Sequence, residues 1–255
     1  MISEREKSMH VEVQPHIRIG EIEAKYAVLP GDPGRVERVA RYLDDPREVA
    51  YNREYRSILG RYKGIPVLVI STGIGGPSVG IAVEELRRIG VTTMIRIGSC
   101  GALQPGMRLG DLVIANGAVR NDGTSDTYIE RGYPAIPNTD LLMTLLETVK
   151  GMGFPYVCGL VRSHDSFYTD LEEEIDRFWG AKGIVASDME TAALFVIGGL
   201  RKLRVASILN VVVEAEGELE RGINQYVEEG NMSVVGEERE IQLALETIFA
   251  DANQK

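Results

Sequence analysis

Apolar positions along the chain follow two spacings. Short runs dominated by Val, Ile and Leu occur at Tyr26 to Leu29, Val67 to Ser71, Val91 to Ala102, Asp111 to Ala115, Tyr156 to Val161, Ile184 to Ala186 and Arg204 to Val213. Each has the length and make-up of a buried strand. Between them, apolar residues fall three and four apart. Val36, Val39, Ala40 and Leu43 share a face of one predicted helix. Val79, Ala82, Val83 and Leu86 do so in a second, from Pro77 to Ile89, and Leu141, Leu142, Leu145 and Val149 in a third, from Asn138 to Lys150. Asp32 and Pro33 supply the N-cap and first residue of the first helix, while Gly90 and Gly151 stop the other two. An acidic-faced helix is expected over Leu171 to Trp179, another within S-D-M-E-T-A-A-L-F-V-I-G-G, and a long one at the C-terminal end. Tyr51 to Gly64 reads as a hairpin turning at Lys63-Gly64, S-H-D-S-F-Y as a turn, and Gly117 to Asn138 as a long polar loop. Strands alternating with helices predict one α/β domain. The strand from Val67, the helix after it and the strand from Val91 are expected to form a right-handed βαβ crossover. That sets two Gly-rich turns side by side at the carboxyl edge of the sheet.

Composition narrows the partners. The 255 residues are 44% hydrophobic, enough for a filled core, and 28 basic against 38 acidic residues give a net charge of −10. That balance speaks against nucleic acid or an anionic membrane surface, so an anionic substrate would need a local arginine cluster. The two Cys, in S-C-G and V-C-G, form neither a metal-ligand spacing nor a disulfide framework, so a reducing interior and no metal are expected. The start, M-I-S-E-R-E-K-S-M-H, lacks the apolar core of a signal peptide, and no window reaches the length of a membrane span. A soluble cytoplasmic protein is expected, with residues 1–15 a flexible tail and 16–255 a single domain.

Three charged positions carry candidate chemistry. Arg96 lies near the end of the apolar run V-T-T-M-I-R-I-G-S-C-G-A, just before Gly98, Ser99 and Gly101. A guanidinium buried there needs an anion, and small residues let backbone N–H groups approach one closely; on an exposed strand face the same Arg would only reach water. Arg35 stands in the first turn of a helix kept bare by Gly31 and Gly34, a place that favours an anion but equally suits a solvated side chain. Glu190 is surrounded by Ile184, Val185, Met189, Ala192, Ala193 and Leu194, so its carboxylate needs donors, either ribose hydroxyls or a buried Arg.

P-G-D-P-G-R-V, S-T-G-I-G-G-P-S, R-I-G-S-C-G-A, V-R-N-D-G-T-S and D-M-E-T-A, in this order, resemble the nucleoside phosphorylase family that includes uridine phosphorylase and the hexameric purine nucleoside phosphorylases. The resemblance covers nearly the whole chain from His16 onward. It implies an α/β fold whose twisted, mixed central sheet closes toward a barrel flanked by helices, and a hexamer built from dimers that share active sites. It assigns Gly31, Arg35, Arg96 and Ser99 to phosphate, and Arg53 to the phosphate of a neighbouring subunit. His16, again across the dimer interface, and Met189 and Glu190 go to the ribose, with Phe167, Val212 and Val213 against the base. Glu54, Ile74 and Ser78 match a potassium site found between subunits in some uridine phosphorylases. No organic cofactor is implied. Inorganic phosphate is the co-substrate, cleaving the N-glycosidic bond reversibly to free base and ribose 1-phosphate.

The base-reading positions depart from the pattern. Uridine phosphorylases carry a Gln and an Arg shortly after the F-Y pair; Leu171 and Glu173 stand there, with Arg162 and Arg177 as substitutes to consider. Purine members place an Asp where this chain has Glu214, which would serve as general acid if burial raises its pKa. Uridine is the expected substrate and a purine nucleoside or methylthioadenosine the alternative. A dinucleotide-dependent oxidoreductase is the competing class, but G-I-G-G-P-S lacks the third Gly of that fingerprint, and the next strand ends with Arg96 where an acid is needed.

Overall fold

The computed structural model describes residues 12–215 and 232–254. Of the expected tail, residues 1–11 lie outside the described residues, and Gln14 is already buried. Part of the expected C-terminal helical region, residues 216–231, also lies outside them.

Nine strands form one mixed sheet: β1 (Tyr26–Pro30), β2 (Asp44–Asn52), β3 (Tyr55–Tyr62), β4 (Ile65–Ile70), β5 (Thr93–Ala102), β6 (Leu112–Asn121), β7 (Tyr156–His164), β8 (Ala186–Asp188) and β9 (Arg204–Val213). Their order is β2-β3-β4-β1-β5-β8-β7-β6-β9, and β9 returns to pair with β5. The last five strands therefore close into a barrel, and β2, β3, β4 and β1 extend from it. β5 is the hub, parallel to β1 and β9 and antiparallel to β8. Helices cover both faces. α2 (Gly76–Arg88) and α6 (Thr191–Leu200) pack on one core, and α1 (Pro33–Ala40), α4 (Thr139–Met152) and α7 (Met232–Asn253) on the other. Two further helices, α3 (Gly123–Tyr128) and α5 (Glu172–Gly180), lie outside these layers. Among the described residues, no helix is long and apolar enough to cross a membrane.

This is the α/β fold with a closing sheet that the resemblance implies. Strand β1 lies between β4 and β5, so the crossover through α2 passes over it and three parallel strands end at one edge. Their turns touch: the Gly73 N–H donates to the Gly31 carbonyl at 3.0 Å, and a Cβ on Gly31 would lie 3.1 Å from the Gly73 oxygen.

Several local expectations need correction. The expected hairpin is a three-strand meander. Lys63-Gly64 joins β3 to β4, while Arg53-Glu54 joins β3 to the unexpected strand β2. β2 reads D-D-P-R-E-V-A-Y-N because it is an exposed edge strand, where charge and Pro discourage further pairing. The expected loop from Gly117 is ordered: β6 runs on to Asn121, and Asp122 caps α3 by accepting the Ser125 N–H at 2.6 Å. α4 ends at Gly153, which is left-handed, rather than at Gly151.

Candidate active site

At the shared carboxyl edge lies a cavity of about 1710 Å³. Gly31, Arg35, Gly73, Arg96 and Ser99 line it together with Met189, Glu190, Val212, Val213, Glu214 and Phe167. Arg35 from α1 and Arg96 from β5 are both only 3% exposed. The Arg35 Nε donates to Glu237 Oε2 at 2.9 Å, its Nη1 lies 3.3 Å from Glu240 Oε1, and its Nη2 lies 3.5 Å from Ser99 Oγ. Arg96 donates through Nε to Asp188 Oδ2 at 3.2 Å and through Nη2 to Glu190. Its head folds back over its own strand: a Cβ on Gly98 would fall 2.5 Å from Arg96 Nη2, so any side chain there would push the guanidinium aside.

Two carboxylates bring Arg96 to rest. Glu190, at the start of α6, accepts the Gly75 N–H as well as Arg96, which ties the T-G-I-G-G turn to the ribose-assigned position. Of the two donors its burial calls for, the Arg is the one in place. Burial pushes the Glu190 pKa up, and Arg96 works against that. Asp188 accepts from Ser163 Oγ, from the Thr191 N–H and from Thr191 Oγ1, at 2.6, 3.0 and 2.6 Å, so it is fixed before it meets Arg96.

The sequence reading missed Glu237 and Glu240. Both lie in E-E-R-E on α7, one turn apart, and nothing in a charged stretch marks which carboxylates face inward. Glu240 accepts the Gly98 N–H at 3.1 Å from inside the core, and burial, with Glu237 adding to it, pushes its pKa up to about 8 against the pull of Arg35 and Arg96. At neutral pH it is therefore mainly a neutral acid, and Glu237 carries most of the compensation for Arg35.

Three assigned residues, Arg53, His16 and Ser78, stay outside their own chain's cavity, while Glu54 and Ile74 line it. Arg53 is exposed at the β2–β3 turn in a left-handed conformation (φ 55°), and His16 pairs through Nδ1 with Glu85 Oε1 at 2.6 Å. They lie close together, because Asn52 Nδ2 donates to the His16 carbonyl at 2.7 Å. Ser78 Oγ donates to Glu54 Oε1 at 2.7 Å, a bond that lowers the Glu54 pKa, while Ile74 is 77% exposed. Glu214 is exposed and accepts the Leu109 N–H at 3.3 Å, so the described residues do not supply the burial that a general acid there calls for. Leu171 does not line the cavity. Glu172, Glu173, Asp176 and Arg177 of α5 do, beside His164 and Phe167.

A family model described as the phosphorylase superfamily matches residues 25–245. The chain is 46% identical to a uridine phosphorylase of Thermococcus kodakarensis, over 74% of this chain and 72% of that protein. It is 38% identical to a guanosine phosphorylase of Halorubrum lacusprofundi, over 93% of this chain and 98% of that one. The crystal structure of uridine phosphorylase from Vibrio fischeri ES114 matches with a TM-score of 0.87 at 45% identity, covering 95% of this chain and 99% of that chain. Buried arginines and a buried glutamate around one cavity, on this fold and with these relatives, place the chain in the phosphorylase superfamily, as a nucleoside phosphorylase.

Proposed function

We propose that this nucleoside phosphorylase cleaves uridine with inorganic phosphate, giving uracil and ribose 1-phosphate. The observation that carries the reading is two buried guanidinium groups meeting in one cavity beside Glu190. Arg35, Arg96, Ser99 and the backbone around Gly31 hold the phosphate dianion, and Glu190 takes ribose hydroxyls with Met189 packed against the sugar. A phosphate oxygen bonds to the anomeric carbon as the C–N bond breaks, and that bond's electron pair leaves on the base nitrogen. Positive charge builds on the sugar between two aligned anions, so their fixed positions count most in the transition state. Arg96 and Glu190 satisfy each other in the structure, and each exchanges a protein partner for a ligand one when substrates bind. Phe167, Val212 and Val213 flank the base.

The working enzyme in this reading is a cytoplasmic hexamer, a trimer of dimers, acting in nucleoside salvage. The support is local: Arg53 and His16 are adjacent on the surface and absent from their own cavity, as residues that complete a neighbour's site must be. Glu54, Ile74 and Ser78 form the potassium position between those subunits.

Guanosine is the second reading. It is favoured by Leu171 and Glu173 standing where a Gln and an Arg would read uracil, and by the guanosine phosphorylase matched over nearly the full length. Incubation with uridine, guanosine, inosine and methylthioadenosine, each with and without phosphate, tests both. Base should appear only with phosphate and from uridine first; release in water alone would make the protein a hydrolase.

A further inference from the structure

The side of the cavity formed by α5 contains charges that phosphate and ribose do not use. Glu172 and Asp176, one helical turn apart, are half-buried on the face of α5 that lines the cavity. Behind them stands Arg162 of β7. Side chains alternate along a strand, and Ser163 points toward α6, where its Oγ accepts the Ala192 N–H at 2.9 Å. Arg162 and His164 therefore share the opposite face, and His164 lines the cavity. Arg162 is 9% exposed; its Nε donates to Asn121 Oδ1 at 2.9 Å, and its two terminal NH2 groups donate to nothing among the described residues. The two terminal groups are not sealed from solvent, so the guanidinium is anchored at Nε and reachable at its outer edge, facing half-buried carboxylates.

The missing partners can be specified. His164 Nδ1 lies 2.9 Å from the Ser166 carbonyl, which only accepts, so Nδ1 carries the proton and Nε2 is an acceptor on the neutral ring. Burial, with the Arg162 charge adding to it, lowers the His164 pKa, and burial raises those of Glu172 and Asp176. This side of the cavity thus offers several acceptors and two cationic donors, Arg162 and the exposed Arg177 of α5. The edge of guanine is complementary: O6 accepts, while N1–H and the 2-amino group present two parallel donors that suit a carboxylate. Uracil offers one N–H between two carbonyls. Adenine offers an amino group beside a bare ring nitrogen, so one of its two positions would face a carboxylate lone pair to lone pair.

We infer that Asp176, with Glu172 beside it and Arg162 behind, reads the base, and that through it the site takes guanosine as well as uridine and senses the 2-amino group of guanine. The inference rests on the guanosine reading above and names the residues that would enforce it.

Guanosine and inosine differ only in that amino group, so the ratio of their kcat/KM values is the measurement, and it is insensitive to the fraction of enzyme folded. The native enzyme should favour guanosine by about 10- to 100-fold, the worth of a hydrogen bond to a charged group. In Asp176→Asn the ratio should fall toward one, with Glu172→Gln lowering it less. A native ratio near one, or a ratio that both variants leave unchanged, overturns the inference while phosphorolysis stands. No phosphate-dependent release from any nucleoside would overturn phosphorolysis itself.

Discussion

Replacing Glu240 with Gln should make the protein more stable as the pH rises. The Glu240 carboxyl is buried between the Gly98 N–H, Arg35, Arg96 and Glu237, and its pKa is raised from 4.5 to about 8. A carboxyl raised in the folded state contributes fully below the unfolded value, and that contribution is lost as pH rises through the folded one. Between these limits the folded chain holds one proton more than the unfolded chain. Stability therefore falls by about 1.4 kcal/mol per pH unit, or roughly 5 kcal/mol across the interval. Gln keeps an oxygen for the Gly98 N–H and cannot ionise. Urea unfolding at fixed protein concentration, from pH 5 to 8.5, should give curves that start within about 2 kcal/mol of each other. They should then diverge in favour of Glu240→Gln and run parallel above the upper value. Parallel curves throughout would mean that Glu240 ionises normally and that Arg35 is balanced by two carboxylates rather than one.

The arginine site predicts further outcomes. Arg96→Met should lower kcat/KM at least about a hundredfold and cost about 3–5 kcal/mol of stability, because Asp188 and Glu190 lose a buried partner; steady-state kinetics and thermal unfolding measure the two. Gly98→Ala should leave the fold intact yet raise the KM for phosphate at least about tenfold, since the new methyl group occupies the place of Arg96 Nη2; an unchanged KM would show that Arg96 does not need this position. Arg53→Ala should disable catalysis without changing the melting temperature. Mixed with Glu190→Ala subunits it should regain activity, because mixed dimers contain an intact site; no recovery, or an active Arg53→Ala enzyme, would show that sites are not shared.

Those features of the site that were legible in the sequence are the ones where burial and charge conflict over a short stretch. Arg96 sits in an apolar run that ends in glycines, and Glu190 opens the apolar helix T-A-A-L-F-V-I-G-G, so the neighbours of each in the chain are enough to announce its need for a partner. The strand-to-helix turns were legible for a similar reason, because Asp32, Pro33 and the glycines have strong local preferences. β2 was not, since an exposed edge strand has no apolar alternation to detect. Glu237 and Glu240 were not, because the long C-terminal helix places charges on both faces and only its packing against α4, β9 and β5 decides which face is buried. Arg162 was visible only as one cation among several; its 9% exposure and unclaimed donors come from the register of β7 against β8 and from α5, which pattern alone does not set.

The same contrast explains how two guanidinium groups remain buried. Each is held by carboxylates from elements remote in the chain: Arg96 by Asp188 and Glu190, next to α6, and Arg35 by Glu237 and Glu240 on α7. An isolated buried charge would cost several kcal/mol, and a full set of ionised partners would leave no field for phosphate. Keeping Glu240 mainly neutral while Glu237 is paired with both Arg35 and Arg38 resolves that conflict. Arg35 is then compensated enough to stay folded inward, with its Nη2 group 3.5 Å from Ser99 Oγ beside the cavity. In the proposed reading the C-terminal helix thus acts on the phosphate site indirectly, by holding Arg35 and the Gly98 N–H.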